Sequence, residues 1–138
     1  MNALQRKEQI KDQIAELVER LEEDGSCSLS FYDEYRQYFT THYYSCLDDM
    51  IDEWADSQVS FYYDSLLDWI REEGCATDYI EQAVAEGLID CRNFDFYKAI
   101  QVGQYLFYSD EVNKDYATLE ELHKLHRELA ELEREQVA

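Results

Sequence analysis

An all-α fold, a compact bundle of about five to six helices, is what this sequence predicts. Three observations carry the expectation. The 138 residues include no proline and only four glycines, so little interrupts a helix. Apolar residues recur at three- and four-residue intervals through most of the chain, the spacing of a buried helical stripe. Hydrophobic residues make up 46% of the chain, with twelve Tyr, six Phe and two Trp among them. That is enough to fill one core despite a net charge of −20, where a disordered acidic chain would be poor in aromatics.

The elements follow in order. Residues 2–24 read as an amphipathic helix, with Ile10, Ile14, Leu17 and Leu21 forming a heptad-like seam and Gly25 ending it. A second helix is expected from about Ser30 to Asp56, its stripe made by Tyr35, Phe39, Tyr43, Cys46, Leu47, Met50 and Trp54. A third spans about 58–73 through Val59, Tyr62, Tyr63, Leu66 and Ile70, with Gly74 as a left-handed stop. A short fourth starts at Thr77 or Asp78, where Asp78 and Glu81 are spaced as a capping box, and closes at Gly87. The run FDFYKAIQVGQYLFY, residues 94–108, suits a helix behind Asp95 with Ile100, Gly103, Gln104 and Phe107 inward, although its β-branched and aromatic content also allows a strand. The last helix is expected from Thr118, with Thr118 and Glu121 as a second capping box and Leu122, Leu125, Leu129 and Leu132 as its seam. The two terminal seams could lie antiparallel within one chain or pair across a homodimer.

Charge and aromatics are unevenly placed within this single helical domain, residues 1–138. Residues 1–24 and 118–138 each carry a net charge of −3, whereas residues 25–117 carry nineteen acids against five bases and hold every aromatic residue. The ends use eleven Glu and two Asp; the middle uses twelve Asp and seven Glu. Glu is the better helix former, so acids placed only for solubility should be Glu. Asp has the shorter stem and loses less rotamer entropy when its carboxylate is held in place. Asp78 and Asp95 suit helix caps. Asp48, Asp49, Asp52, Asp56, Asp64 and Asp68 read as mid-helical, which indicates that their positions matter.

Several function classes fall away on composition. A net charge of −20 excludes ordinary nucleic-acid binding, which needs a basic surface, and disfavours anionic membranes. It favours a basic partner. Cys27, Cys46, Cys75 and Cys91 are far apart, with no CxxC pair. The first residues are polar and no apolar run reaches membrane-spanning length. A cytoplasmic protein with reduced, mostly buried thiols is expected.

No catalytic or cofactor motif stands out. His42 and Cys46 at i,i+4, with His123 and His126 at i,i+3, could supply four zinc ligands if two helices met, but structural sites normally show tighter ligand pairs. Glu120 and His123 spell one half of a carboxylate di-iron signature and no second copy exists. Gly-rich phosphate loops, a nucleophile elbow and an EF-hand loop are all missing from the sequence. The expectation is a protein that is not an enzyme and carries no metal or cofactor.

The stretch SCLDDMIDEWADS, residues 45–57, holds Asp48, Asp49, Asp52, Glu53 and Asp56 without a Lys or Arg. On a helix these five charges span about 12 Å, roughly one per 2.4 Å, within the charge-density range of a nucleic-acid backbone. Three like-charged i,i+4 pairs cost about 0.2–0.5 kcal/mol each, an expense the aromatic core offsets. The third helix adds Asp64, Asp68 and Glu72 at four-residue spacing, with Glu73 beside them. If these two helices formed a hairpin, their acidic rows would run side by side like two phosphate strands. Tyr62 and Tyr63, interleaved with the acids, offer rigid hydrogen-bonding contact area.

In size, composition and these two rows, the chain resembles the small acidic proteins of phages and mobile elements that imitate DNA, the anti-restriction and many anti-CRISPR proteins among them. The resemblance implies a non-enzymatic inhibitor acting in the cytoplasm of a bacterial host. It would dock on the basic groove of a defence nuclease, a Cas9-type effector ahead of a restriction enzyme, with carboxylates taking the place of phosphates. It implies no direct contact with nucleic acid. The alternative is a helical adaptor that uses the terminal seams to dimerise or to grip a partner helix.

Overall fold

The computed structural model describes residues 2–24, 26–40, 46–59, 63–73, 76–90, 92–93 and 95–137. Among the described residues every regular element is helical: α1 (Ala3–Asp24), α2 (Ser26–Tyr35), a 3₁₀ segment (Arg36–Thr40), α3 (Leu47–Ser57), α4 (Leu66–Glu73), α5 (Ala76–Ala85), α6 (Phe96–Asn113) and α7 (Tyr116–Val137). The all-α class is as expected. The helices are more numerous because the long second helix is not continuous. After Tyr35 the chain tightens into the 3₁₀ segment, and a new helix begins only at Leu47.

Packing divides the chain into two units, one made of Met1–Ile51 and Glu111–Ala138, the other of Asp52–Asp110. Residues 25–117, the acidic aromatic middle, are shared between them.

In the first unit α1 packs on α7, the 3₁₀ segment on α7, and α2 on α1. The terminal seams therefore pair within one chain. Ile10, Leu17, Leu21, Leu122 and Leu125 are buried, while Ile14, Leu129 and Leu132 are half-buried. Arg6 near the start of α1 clasps Glu128 on α7, Nε donating to Oε1 and Nη2 to Oε2, both at 2.7 Å. Residues 13–20 face 117–125 further along, so the two helices run antiparallel. Asn2 caps α1 reciprocally with Gln5: the Gln5 amide donates to Asn2 Oδ1 at 2.8 Å, and the Asn2 amide to Gln5 Oε1 at 3.1 Å.

The second unit has a core around Trp69 and Ile100, with Tyr63, Ile80 and Phe96 against it. A neighbouring cluster joins Ala83, Ile89 and Ala99. Residues 96–108 are helix, resolving the strand alternative, because Asp95 Oδ1 accepts from the amides of Tyr97 (3.0 Å) and Lys98 (3.2 Å) and starts α6 as a cap. Ile100 and Gln104 are buried as expected.

The other helix ends differ in part from expectation. Gly87, at φ +77°, closes α5: its amide donates to the Val84 carbonyl at 3.1 Å and the Leu88 amide to the Ala83 carbonyl at 2.9 Å, the hydrogen-bond pair of a Schellman motif. Asp78 and Thr118, expected as caps, lie inside their helices, because α5 already begins at Ala76 and α7 at Tyr116. The third helix begins at Leu66 rather than near 58; Ser65 is its cap, its Oγ accepting from the Asp68 amide at 3.1 Å. Gly25 and Gly74, expected as helix stops, lie outside the described residues, as do Tyr43, Cys75 and Cys91. Cys46, placed by sequence in an apolar stripe, is exposed, and Cys27 is half-buried. The expectation of mostly buried thiols fails for Cys46 because it lies in the bend before α3 rather than on a helix face.

Candidate partner-binding surface

α3 sets the geometry. Leu47, Met50, Ile51, Trp54 and Ala55 are all buried, and at about 100° per residue they define one inward face. Asp48, Asp49, Asp52, Glu53 and Asp56 are all exposed. Their positions fall within a single arc of about 140° opposite that face. The apolar spacing that buries the helix thus gathers all five acids on one side, along about 12 Å of helix axis.

Tyrosine hydroxyls hold two of these carboxylates. The Tyr105 hydroxyl of α6 donates to Asp52 Oδ1 at 2.8 Å. The Tyr116 hydroxyl of α7 donates to the Asp48 carboxylate. Burial and then the bond to Asp52 push the Tyr105 phenol above its ordinary value; for Tyr116 the bond to Asp48 leads and burial follows. Both hydroxyls therefore stay protonated as donors. A further pair has the same form, Tyr79 to Asp110 at 2.8 Å. Sequence reasoning missed these partners, which stand 53 residues apart for Asp52 and Tyr105. The only signal was the surplus of Tyr over Phe.

The second row is less regular. Asp64, Asp68 and Glu72 are exposed, but Asp64 precedes α4, so only Asp68 and Glu72 share a helix. Arg71 is also exposed and lies between them in sequence, which lowers the anionic density of that face. Among the described residues α4 packs chiefly on α5, so the side-by-side hairpin of α3 and α4 does not form. Tyr63 is half-buried against Trp69 and Ile100. Tyr62 and the Glu73 side chain lie outside the described residues.

The remaining candidates are placed elsewhere. His123 and His126 both pack on Phe39, and His42 lies outside the described residues. Among the described residues no group of three or more His, Cys, Asp or Glu could hold a metal ion, and no helix is long and apolar enough to cross a membrane. A cavity of about 330 Å³ between α1 and α7 is lined by Gln13, Glu16, Arg20, Thr118 and Glu121 over Leu17 and Leu125. None of the α3 acids lines it.

Comparison with known protein families, with characterised proteins and with solved structures finds no match. The functional reading therefore rests on the physical character of the α3 face.

That face is costly in a directed way. Asp48 and Asp49 sit in the first turn of α3, where the helix dipole favours them, whereas Asp56 sits near the carboxyl end, where it is disfavoured. Asp56→Asn should therefore stabilise the protein by about 0.3–1 kcal/mol. Asp48→Asn, which weakens both the dipole term and the Tyr116 bond, should destabilise it by about 1 kcal/mol. Urea midpoints of the two variants would move in opposite directions; a loss of stability in Asp56→Asn would contradict the account.

Proposed function

We propose that this protein is a non-enzymatic inhibitor of a bacterial defence nuclease. It occupies the enzyme's basic DNA-binding cleft by presenting carboxylates where phosphates would lie. A Cas9-type CRISPR effector is favoured over a restriction enzyme. Phages and mobile elements use such inhibitors inside the host cytoplasm. One observation carries the reading: Asp48, Asp49, Asp52, Glu53 and Asp56 are exposed together on one face of α3, at nucleic-acid-like charge density and against the stability of that helix. The α4 row, Asp68 and Glu72 with Asp64 ahead of it, is a secondary contact in this scheme. The partner is a basic protein surface, and neither nucleic acid nor membrane is contacted.

The terminal seams are engaged with one another in α1 and α7, which leaves the adaptor alternative without its free apolar faces and weighs toward the inhibitor.

The test is the joint change Asp49→Asn, Asp52→Asn, Glu53→Gln and Asp56→Asn. In a competition assay against DNA for the nuclease, inhibition should weaken by roughly 10²–10³-fold, on the order of 1 kcal/mol per lost ion-paired contact, with helical circular dichroism unchanged. Inhibition by the unaltered protein should also fall steeply between about 50 and 200 mM salt. An inhibitor that works equally well with the four changes does not use this face.

A further inference from the structure

His123 is 7% exposed, and among the described residues neither of its ring nitrogens has a hydrogen-bond partner. Its ring lies against Phe39, centroids 5.5 Å apart. One turn on, His126 packs on the same Phe39 ring at 5.6 Å, and its Nε2 is 2.8 Å from the Tyr32 hydroxyl. Phe39 is 1% exposed and belongs to the 3₁₀ segment Arg36–Thr40, which packs on α7. A 3₁₀ run of this length has little stability of its own. Phe39, in contact with both imidazoles, is its buried anchor on α7.

We propose that this cluster is an acid-responsive latch: protonation of His123 and His126 releases the Arg36–Thr40 segment from α7. A second N–H on His123 would find no acceptor in the cluster, and a buried donor without one is strongly disfavoured. The Tyr32 hydroxyl and His126 Nε2 share a hydrogen bond at 2.8 Å; protonation makes both ring nitrogens donors, so Nε2 can then only donate and the hydroxyl must accept. The surrounding charges act in both directions: Arg127 opposes a charge on His123 while Glu120 favours it, and Arg36 opposes one on His126. From α7 come Glu120, already paired with Lys124 at 3.2 Å, and Arg127. The 3₁₀ segment supplies Arg36, and α2 supplies Tyr32, bonded to His126, with Asp33 acting on that phenol. Attraction between a charged imidazole and the Phe39 ring acts against this desolvation without supplying the missing acceptor.

Burial first, and then Arg127, hold the His123 imidazole below its ordinary value of 6.5. Burial, His123 and Arg36 do the same for His126. Because the folded state binds protons less readily than the unfolded chain, the latch is at full strength above about 6.5 and weakens as pH falls. This window lies above the ordinary titration range of the many carboxylates.

Amide hydrogen exchange on the full chain, corrected for intrinsic rates, tests the latch between about pH 7.5 and pH 5.5. Protection of residues 36–40 should fall about tenfold or more relative to α1. The double variant His123→Phe with His126→Phe, which keeps ring volume and removes the titration, should show no such fall, and His42→Asn should keep it. Constant protection in the unaltered protein, or an equal fall in the double variant, would overturn the proposal. Should the double variant not fold, NMR titration of the unaltered protein decides: the imidazole and Phe39 ring signals must move with one midpoint below 6.5, and separate midpoints refute the latch.

Discussion

Gly103→Ala is expected to destabilise the protein by about 1–3 kcal/mol, although it adds a single methyl group to the middle of a helix. In most helix interiors the same change stabilises by roughly 0.5–1 kcal/mol, since alanine restricts the unfolded backbone and favours helix. Here a Cβ on Gly103 would lie 2.3 Å from Trp69 Cη2, 3.0 Å from Cζ2 and 3.1 Å from Cζ3. These atoms form the far edge of a rigid ring in a side chain with no exposed surface, so the indole cannot swing into solvent. The ring would have to leave its place against Ile100, taking the Trp69–Ile100 cluster with it. A double-mutant cycle separates this from a general dislike of alanine. In a Trp69→Leu background, which also removes an indole N–H that has no partner among the described residues, Gly103→Ala should become neutral or stabilising. If the cost of Gly103→Ala is the same in both backgrounds, Trp69 is not the cause.

Phe39→Ala should cost more, about 3–5 kcal/mol. The ring meets Phe31 at 6.3 Å, Tyr32 at 5.8 Å, His123 at 5.5 Å and His126 at 5.6 Å between centroids. Deletion would leave a void bounded by four rings, none of which can collapse to fill it without losing its other contacts. Phe39→Leu keeps most of the volume and should cost under about 1.5 kcal/mol. Urea unfolding followed by near-ultraviolet circular dichroism would read both. Equal effects from the two substitutions would mean that Phe39 contributes through something other than packing volume.

The fold class was legible because it depends on local features. Three- and four-residue spacing, the lack of proline and caps such as Asp95 act within a few residues of themselves. The break in the expected second helix was harder to read, because Tyr35, Phe39 and Tyr43 keep helical spacing straight through it. What tightens the chain at Arg36–Thr40 is the packing of Phe39 on His123 and His126, more than 80 residues away. The misplaced caps have a related cause. Asp78–Glu81 and Thr118–Glu121 satisfy the capping pattern, yet each helix starts two residues earlier, so the pattern marks a first turn and not a boundary. The α3 acids could be assigned to one face from sequence alone, since their spacing and that of the buried residues are complementary. The relation of α3 to α4 could not, because it depends on the choice of α4 to pack on α5.

The phenol bonds to Asp48 and Asp52 bear on how any cation would meet α3. A carboxylate offers about four lone-pair directions, and one tyrosine uses one of them. The rest remain open on an exposed group whose motion the phenol bond already restrains. An arriving guanidinium would then find an oxygen pair of settled orientation and immobilise little that was moving. Loss of the Tyr105 or Tyr116 hydroxyl would leave the charge of this helix intact while making its pattern blurred.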